Sequence, residues 1–201
     1  MQYKDYTFKY PKLTRISKGA TDEITFSNCD FQAVDNIKLS GFATVDFDGY
    51  RTFFRKPIKI EINNCKKVTF DKISFGIGFS AKETTLIISD ANIVQFRYLD
   101  TTKDMNLQTQ NCGIIRYDIS SLNFDTSKMN AKEFVLRGSQ ISSLKTLDLT
   151  GVTEKLKIYT TNVFDLQEML IRPQVMLYID ECYDTKKILQ PITRFQETKE
   201  R

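Results

Sequence analysis

One short pattern recurs along the chain: two apolar residues that are separated by one position, and a small residue three positions after the second of them. Ile60-x-Ile62-x-x-Cys65 is one copy. Apolar side chains two positions apart lie on the same face of a β-strand, and a small residue after them lets the backbone turn a corner in a confined place. Seven copies are present, one of which, Leu107-x-Thr109-x-x-Cys112, has Thr in the second apolar place. Their small residues are Cys29, Cys65, Ala91, Cys112, Ser139, Thr161 and Cys182.

The spacing of the copies predicts a solenoid. The small residues stand 36, 26, 21, 27, 22 and 21 positions apart, and a degenerate copy at Val45-x-Phe47-x-x-Tyr50 explains the interval of 36. One coil cannot bury its apolar side chains alone, so coils of about 21–27 residues must stack and pair their strands in parallel. We therefore predict a β-rich solenoid with one parallel sheet, in which the small residues form one interior ladder.

The segments outside the repeat predict caps. Residues 1–22 carry aromatic residues at near-alternate positions, and we expect them to form an N-terminal cap, because a solenoid needs a cover over its first coil. Residues 23–189 are then a single solenoid domain. Residues 190–201, which end in Lys-Glu-Arg, are expected to form a C-terminal tail.

The apolar residues that follow each small residue suggest a class of solenoid. They stand at about two, five and eight positions after it, and residues 144–151, Leu-Lys-Thr-Leu-Asp-Leu-Thr-Gly, show the spacing well. The string resembles the leucine-rich repeat over residues 24–189. This resemblance implies stacked coils with one parallel sheet and protein binding on the exposed, concave side of that sheet.

A right-handed parallel β-helix is the alternative architecture. Its coils have a similar length, and an Asn often stands at the corner, as Asn28, Asn64 and Asn111 do before the small residue. Val68-Thr-Phe70, with its period of two, favours this alternative, whereas the three-residue spacing elsewhere favours the leucine-rich type.

The residues between the inward-pointing pairs are expected to form the exposed face of the strands. In the second half of the chain this face is rich in Arg, Tyr and charge, which are residue types that anchor protein interfaces. We predict a non-enzymatic module that binds another protein, such as an adaptor or an inhibitor. The predicted contact residues are Gln108, Gln110, Arg137, Lys157, Tyr159, Tyr178 and Asp180.

Two other functions are weighed against protein binding. Asp46 and Asp48 are two positions apart and could act together in a carbohydrate-binding or carbohydrate-cleaving β-helix, but only with further acids in register on adjacent coils. The stretch 51–59 mixes Arg, Lys and Phe and could follow a phosphate backbone. With 29 basic and 25 acidic residues spread along the chain, the net charge of +4 disfavours nucleic acid as a partner.

Several kinds of chemistry are excluded by composition. The chain has no His, so it has neither a Ser-His-Asp nor a Cys-His triad nor a His-ligated zinc. Its four Cys form no CxxC motif and are expected to be reduced core residues. Residues 76–80, Gly-Ile-Gly-Phe-Ser, lack the Lys-Ser/Thr of a phosphate-binding loop and are expected to connect coils. We predict no cofactor and no metal.

The sequence also bears on location and assembly. No run approaches the ~20 apolar residues of a bilayer span, and the first residues contain no apolar stretch of the signal-peptide type. We expect a cytoplasmic protein, of a bacterial cell or of a virus-infected host, without a membrane partner. Self-association through the ends of the solenoid is a further expectation.

Overall fold

The computed structural model describes residues 2–4, 7–8, 12–17, 22–49, 52–73, 84–98, 106–118, 121–122, 128–138, 140–141, 148–159, 162–163 and 174–180. These residues form β-strands and contain no helix, and accordingly no membrane-spanning helix occurs among them. All strand pairs are parallel, and each joins successive coils of the chain. The predicted β-rich solenoid is confirmed.

A coil has up to three sides, which we call faces A, B and C in the order in which the chain passes through them. Faces A and B belong to one sheet of twelve strands, and face C consists of two sheets of three short strands each. The prediction of one parallel sheet therefore describes faces A and B. Several long strands run along face A, bend at a corner and continue along face B, as the two separate registers of their residues show.

Face A contains β3 (Lys12–Ser17), β6 (Asn36–Ser40), the first halves of β9 (Lys59–Asp71) and β10 (Thr85–Arg97), and β11 (Asn106–Gln110). Face B contains β1 (Gln2–Lys4), β4 (Glu23–Ser27), β7 (Thr44–Asp48), the second halves of β9 and β10, β12 (Cys112–Asp118), most of β14 (Lys128–Arg137) and of β16 (Asp148–Tyr159), and β18 (Met176–Asp180). The first residues of β14 and β16 lie on face A, where Lys128 pairs with Gln108 of β11 and with Asp148. Face C contains β2 (Thr7–Phe8), β5 (Asp30–Phe31), β8 (Phe53–Phe54), β13 (Ser121–Leu122), β15 (Gln140–Ile141) and β17 (Asn162–Val163).

The core behind face B is a column of stacked aromatic rings. Alternation along each strand points one aromatic side chain inward at the same register position of successive coils. The ring centroids of neighbours lie 4.6 to 5.3 Å apart, and the rings are nearly parallel. A second column of aliphatic side chains, which includes Val45, Val68 and Val94, lies beside it and is fully buried. The stacked rings are Tyr3, Phe26, Phe47, Phe70, Phe96 and Tyr117.

Two corners of the coil, A–B and B–C, use residues in the left-handed backbone conformation. Gly, Asn and Asp adopt positive φ at the least cost, which explains why they predominate there. At the corner between faces B and C, the backbone N–H of each such residue donates to a carbonyl of the next coil, at 2.9 to 3.1 Å. The A–B corner has Gly41, Asn64, Asp90 and Asn111, and the B–C corner has Asn28, Gly49, Lys72, Tyr98 and Gly138.

The register of the copies differs from the prediction. Cys65 pairs with Ala91, and Cys112 pairs with Ala131, at the A–B corner. Cys29 lies instead at the B–C corner, because Ile24 and the two residues after it pair with residues 45–47 of face B. The prediction of one ladder of small residues is therefore wrong: the copies divide between two corners. The degenerate copy at Val45-x-Phe47 does occupy its own coil, and Ser139, Thr161 and Cys182 lie outside the described residues.

Candidate functional site

The outward residues of face B form two rows along the solenoid axis. The strands alternate inward and outward side chains, and the parallel register places equivalent residues of successive coils side by side. Row one occupies the register positions of Thr25, Asp46, Thr69, Gln95, Arg116, Val135, Lys157 and Tyr178. Row two occupies those of Ser27, Asp48, Asp71, Arg97, Asp118, Arg137, Tyr159 and Asp180.

The structure brings five of the seven predicted contact residues together at one end of face B. Arg137 pairs in register with Tyr159, and Tyr159 with Asp180, so these three are neighbours in row two. Lys157 and Tyr178 are neighbours in row one. Gln108 and Gln110 lie on face A, across the corner. The prediction of a single exposed face is wrong in this respect, because it merged faces A and B.

Lys157 is held in a defined position. Its Nζ lies 3.2 Å from a carboxylate oxygen of Glu133 and 5.9 Å from the centre of the Tyr178 ring, which is within the range of a cation–π contact. Lys155 binds the other oxygen of Glu133 at 3.3 Å. Partial burial opposes ionisation of this carboxyl, but the hydrogen bonds from Lys157 and Lys155 prevail and lower the pKa of Glu133 below its usual value.

The middle of face B contains paired charges. The side chain of Arg116 donates to both carboxylate oxygens of Asp118 at 2.8 Å, and Gln95 donates to the same carboxylate at 2.8 Å. One coil earlier, Arg97 lies 3.5 Å from Asp71. Asp118 is largely buried, and these donors provide hydrogen bonds to both of its carboxylate oxygens.

The other end of face B is acidic. Asp71 pairs in register with Asp48, and Asp46 lies next to Asp48 in row one. Burial raises the pKa of Asp46, and the charges of Asp48 and Asp71 raise it further, although Lys67 and Arg97 oppose this. One oxygen of Asp71, Oδ1, is buried and accepts no hydrogen bond. Three carboxylates thus come together on two adjacent coils.

Sequence analysis identified Asp46 and Asp48 but missed Asp71. The signal for Asp71 is a repeated local pattern, Val-x-Phe-Asp, in which x is any residue. It occurs at residues 45–48 and again at residues 68–71. Residues 60–65 also match the repeated pattern that ends in a small residue, and an alignment on that pattern hides the repetition of Val-x-Phe-Asp. The further acid in register on an adjacent coil, which the carbohydrate alternative requires, is present.

The basic stretch that suggested nucleic-acid binding is internally paired where the structure describes it. Arg55 donates two hydrogen bonds of 2.9 Å to Asp30 and lowers the pKa of that carboxyl. Lys56 forms an ion pair with Asp35, and Lys59 with Glu61. These cations are thus partly neutralised within the chain, which weakens their support for phosphate binding. Arg51 and the Gly-rich residues 76–80 lie outside the described residues.

The thiols that the structure describes lie in the core. Cys29, Cys65 and Cys112 are buried free thiols, and burial raises the pKa of Cys65 and of Cys112. A raised pKa keeps a thiol protonated and therefore weakly nucleophilic. In the described part of the chain, no group of three or more Cys, Asp or Glu side chains is placed to hold a metal ion.

A groove of about 440 Å³ crosses the A–B corner over several coils. Asn111 and Asn130 line it, but their side chains are occupied in holding the corner. The Asn111 side chain donates to Asp90 at 3.1 Å, and the Asn130 side chain accepts the backbone N–H of Asn111 at 3.3 Å. We therefore assign these two amides a structural role at the corner.

Face B is thus the surface with the most distinctive chemistry among the described residues: acids at one end, paired charges in the middle, and a basic and aromatic end. Comparisons of this chain with models of protein families, with curated proteins and with solved structures find no match. Function is accordingly inferred from the geometry and charge of face B.

Proposed function

We propose that the chain is a non-enzymatic binding module that recognises another protein through the basic and aromatic end of face B. The observation that supports this is the clustering of Arg137, Lys157, Tyr159 and Tyr178, which we call the basic–aromatic patch, on three neighbouring strands. Arg and Tyr dominate the binding energy of many protein interfaces, because they combine a large contact area with hydrogen bonding.

The rigidity of the patch favours tight recognition. Each strand beneath it is hydrogen-bonded to its neighbours in a continuous ladder, and Lys157 is already held by Glu133 and Tyr178. Side chains that are ordered before binding lose less conformational entropy when a partner arrives. Gln108 and Gln110 lie around the corner on face A, so we assign them no part in the same contact.

The proposal predicts a loss of partner binding in the double variant Tyr159→Ala/Arg137→Glu. We expect its affinity for partners captured by the wild type to fall at least about tenfold, since removing anchor residues typically costs more than 1.4 kcal/mol in total. Pull-down from source cells, followed by calorimetry with each captured partner, measures this. The matched face A variant Gln108→Ala/Gln110→Ala should keep wild-type affinity. Equal capture by wild type and the patch variant would show that the proposed surface is wrong.

We also infer that the solenoid belongs to the parallel β-helix class and not to the leucine-rich repeats. The coil formed by β6, β7 and β8 has a strand on each of its three sides. A leucine-rich repeat has one strand and a helical segment per repeat. The aromatic column behind face B, with its inward residues at a period of two, supports the same inference.

A carbohydrate-cleaving β-helix is the second candidate, and the position of Asp71 beside Asp48 favours it. A carboxyl with a raised pKa, such as Asp46, beside other carboxyl groups is an arrangement that serves general acid catalysis. Our first proposal predicts that the wild-type protein does not depolymerise polysaccharides. Viscosity and reducing-end assays on acidic and neutral polysaccharides test this. Cleavage that Asp46→Asn abolishes would replace the first proposal with the second.

A further inference from the structure

Along face B, positions at equal distances on either side of the middle carry charges that complement each other. In row two, Asp48, Asp71 and Arg97 occupy three successive coils, and Asp118, Arg137 and Tyr159 occupy the next three. Each acid in the first half thus has a base or a hydroxyl at the mirrored position in the second half. Row one repeats this arrangement with Asp46, Thr69 and Gln95 in its first half and Arg116, Val135 and Lys157 in its second.

We propose that face B binds a second copy of the same chain, face to face and with the two solenoid axes antiparallel. The inference rests on the proposed function, because it takes face B to be a binding surface, and it names one partner for that surface. The two-fold axis lies parallel to the strands, between β10 and β12. Such an axis reverses the order of the coils and leaves each row opposite itself, as in an isologous dimer.

This arrangement brings opposite charges together along the whole face. Arg97 lies opposite Asp118 of the second copy, and Asp71 lies opposite Arg137 of the second copy. In row one, Asp46 lies opposite Lys157 of the second copy. The two-fold symmetry forms each of these pairs twice. Complementary charges across an interface select the partner and fix its register.

The uncharged positions also match. Thr69 and Val135, which are 7% and 8% exposed, lie opposite each other near the centre, where little polar surface needs to be dehydrated. Asp48 lies opposite Tyr159 of the second copy, whose hydroxyl can donate to a carboxylate. No two charges of like sign are opposed in these two rows.

A parallel dimer does not have this property. A two-fold axis along the solenoid would keep the order of the coils and place row one opposite row two. Asp46 would then face Asp48 of the second copy, and these two carboxylates would repel each other. The charge pattern therefore selects the antiparallel arrangement.

The acidic end of face B has capacity for additional cations. Asp46, Asp48 and Asp71 come together there on two adjacent coils, and Arg97 lies 3.5 Å from Oδ2 of Asp71. Asp46 is half-buried beside two other carboxylates. A Lys and an Arg from a second copy would supply the positive charge that this cluster attracts.

The size of the face implies a weak dimer. Eight strands at ~4.8 Å span about 34 Å, and five residues along a strand span about 16 Å, which gives about 500 Å² per copy. The total of about 1,000 Å² is at the lower limit of specific interfaces. Dimerisation is therefore expected to depend on protein concentration, so that another protein can compete for the patch.

Sedimentation velocity over a series of protein concentrations tests the proposal on the wild-type chain. We expect a monomer–dimer equilibrium at about 0.05 M salt that shifts strongly to monomer at about 0.5 M, because salt screens exposed charge pairs. A wild-type protein that stays monomeric at every concentration in low salt would overturn the proposal.

Charge reversal tests the antiparallel register. Asp46→Lys puts Lys against Lys157 of the second copy, and Lys157→Glu puts Glu against Asp46 of the second copy. Each variant alone should weaken dimerisation about tenfold or more. An equimolar mixture of the two should form a heterodimer with about wild-type affinity, since one of the two symmetric pairs is then restored with reversed sign and the other is the native pair of Asp46 with Lys157.

Controls separate this effect from misfolding and from the proposed function. Lys66→Glu makes the same charge change as Lys157→Glu, but at an exposed position on the A–B corner. It should leave dimerisation unchanged. Circular dichroism of each variant checks folding. Arg137→Glu, at an exposed position, is a second test of the register, because it puts Glu against Asp71 of the second copy and should also weaken dimerisation. If Lys157→Glu dimerises like the wild type, the register is wrong. The two proposals can also fail separately. If the wild type is monomeric but its binding to another protein still depends on Tyr159 and Arg137, the dimer proposal is wrong and the proposed function remains supported.

Discussion

Phe70→Ala is expected to destabilise the protein by about 3–5 kcal/mol, which is the usual cost of removing a fully buried aromatic side chain. The Phe70 ring is fully buried and stacks between Phe47 and Phe96, with centroid distances of 5.0 and 5.3 Å. Its removal leaves a cavity in the middle of the column and breaks two stacked contacts. Urea unfolding followed by circular dichroism should show a lower midpoint with a similar slope.

Two variants make this result interpretable. Phe70→Leu keeps most of the buried apolar volume and should cost clearly less than Phe70→Ala. Lys66→Ala, at an exposed position on the A–B corner, should change stability by less than about 0.5 kcal/mol. If Phe70→Ala were as mild as Lys66→Ala, the aromatic column would not be the main support of face B.

The solenoid could be predicted from the sequence because stacking is a local rule repeated many times. Every coil must bury inward pairs such as Ile60 and Ile62, and each such pair is visible within three residues. The phase of the repeat was harder to predict, because the two corners have similar chemistry. Asn28 precedes Cys29 at one corner and Asn64 precedes Cys65 at the other, and both Asn residues have positive φ. A frame anchored on the cysteines therefore merges two different corners.

The aromatic column was the signal that separates the two corners. Residues 24–26, 45–47, 68–70, 94–96 and 115–117 each contain an aliphatic residue, one position and an aromatic residue, and all of them lie on face B. Face A has aliphatic residues at the equivalent inward positions of β6, β9 and β10. Ring stacking across coils favours keeping an aromatic residue at one register position. Whether the inward residue is aromatic or aliphatic thus indicates the face of the coil on which a segment lies, whereas the small residue that follows does not.

The candidate site was predictable in part for the same reason. Outward positions such as Arg137 and Tyr159 follow from local alternation alone, and the structure places them side by side. Asp71 and Gln108 depended on the phase of the repeat: the first was missed, and the second was assigned to the wrong face. The charge reversal about the middle of face B becomes visible only when every coil is in register, because it is a relation between coils.

Gly151→Ala is expected to destabilise the protein by about 1–3 kcal/mol, the usual cost of forcing extra volume into a tightly packed site. Gly151 is buried in β16, and its register partner in β14 is Asn130. A Cβ built on Gly151 would overlap the carbonyl oxygen of Met129 and lie 3.0 Å from the Cα of Asn130. These obstacles are backbone atoms, so a side-chain rotation cannot relieve the overlap, and the two coils must move apart.

The effect of Gly151→Ala should spread to the surface, since the register between β14 and β16 places Arg137 beside Tyr159. Partner binding and dimerisation should therefore weaken even at temperatures where the variant is folded. Gly138→Asn is the matched control, because Asn28 shows that the same corner accepts Asn at a similar positive φ. We expect this control to change the urea midpoint little. If Gly151→Ala were as stable as the wild type, the backbones of β14 and β16 would have to leave room for a Cβ at Gly151. The register on which the patch depends would then be wrong.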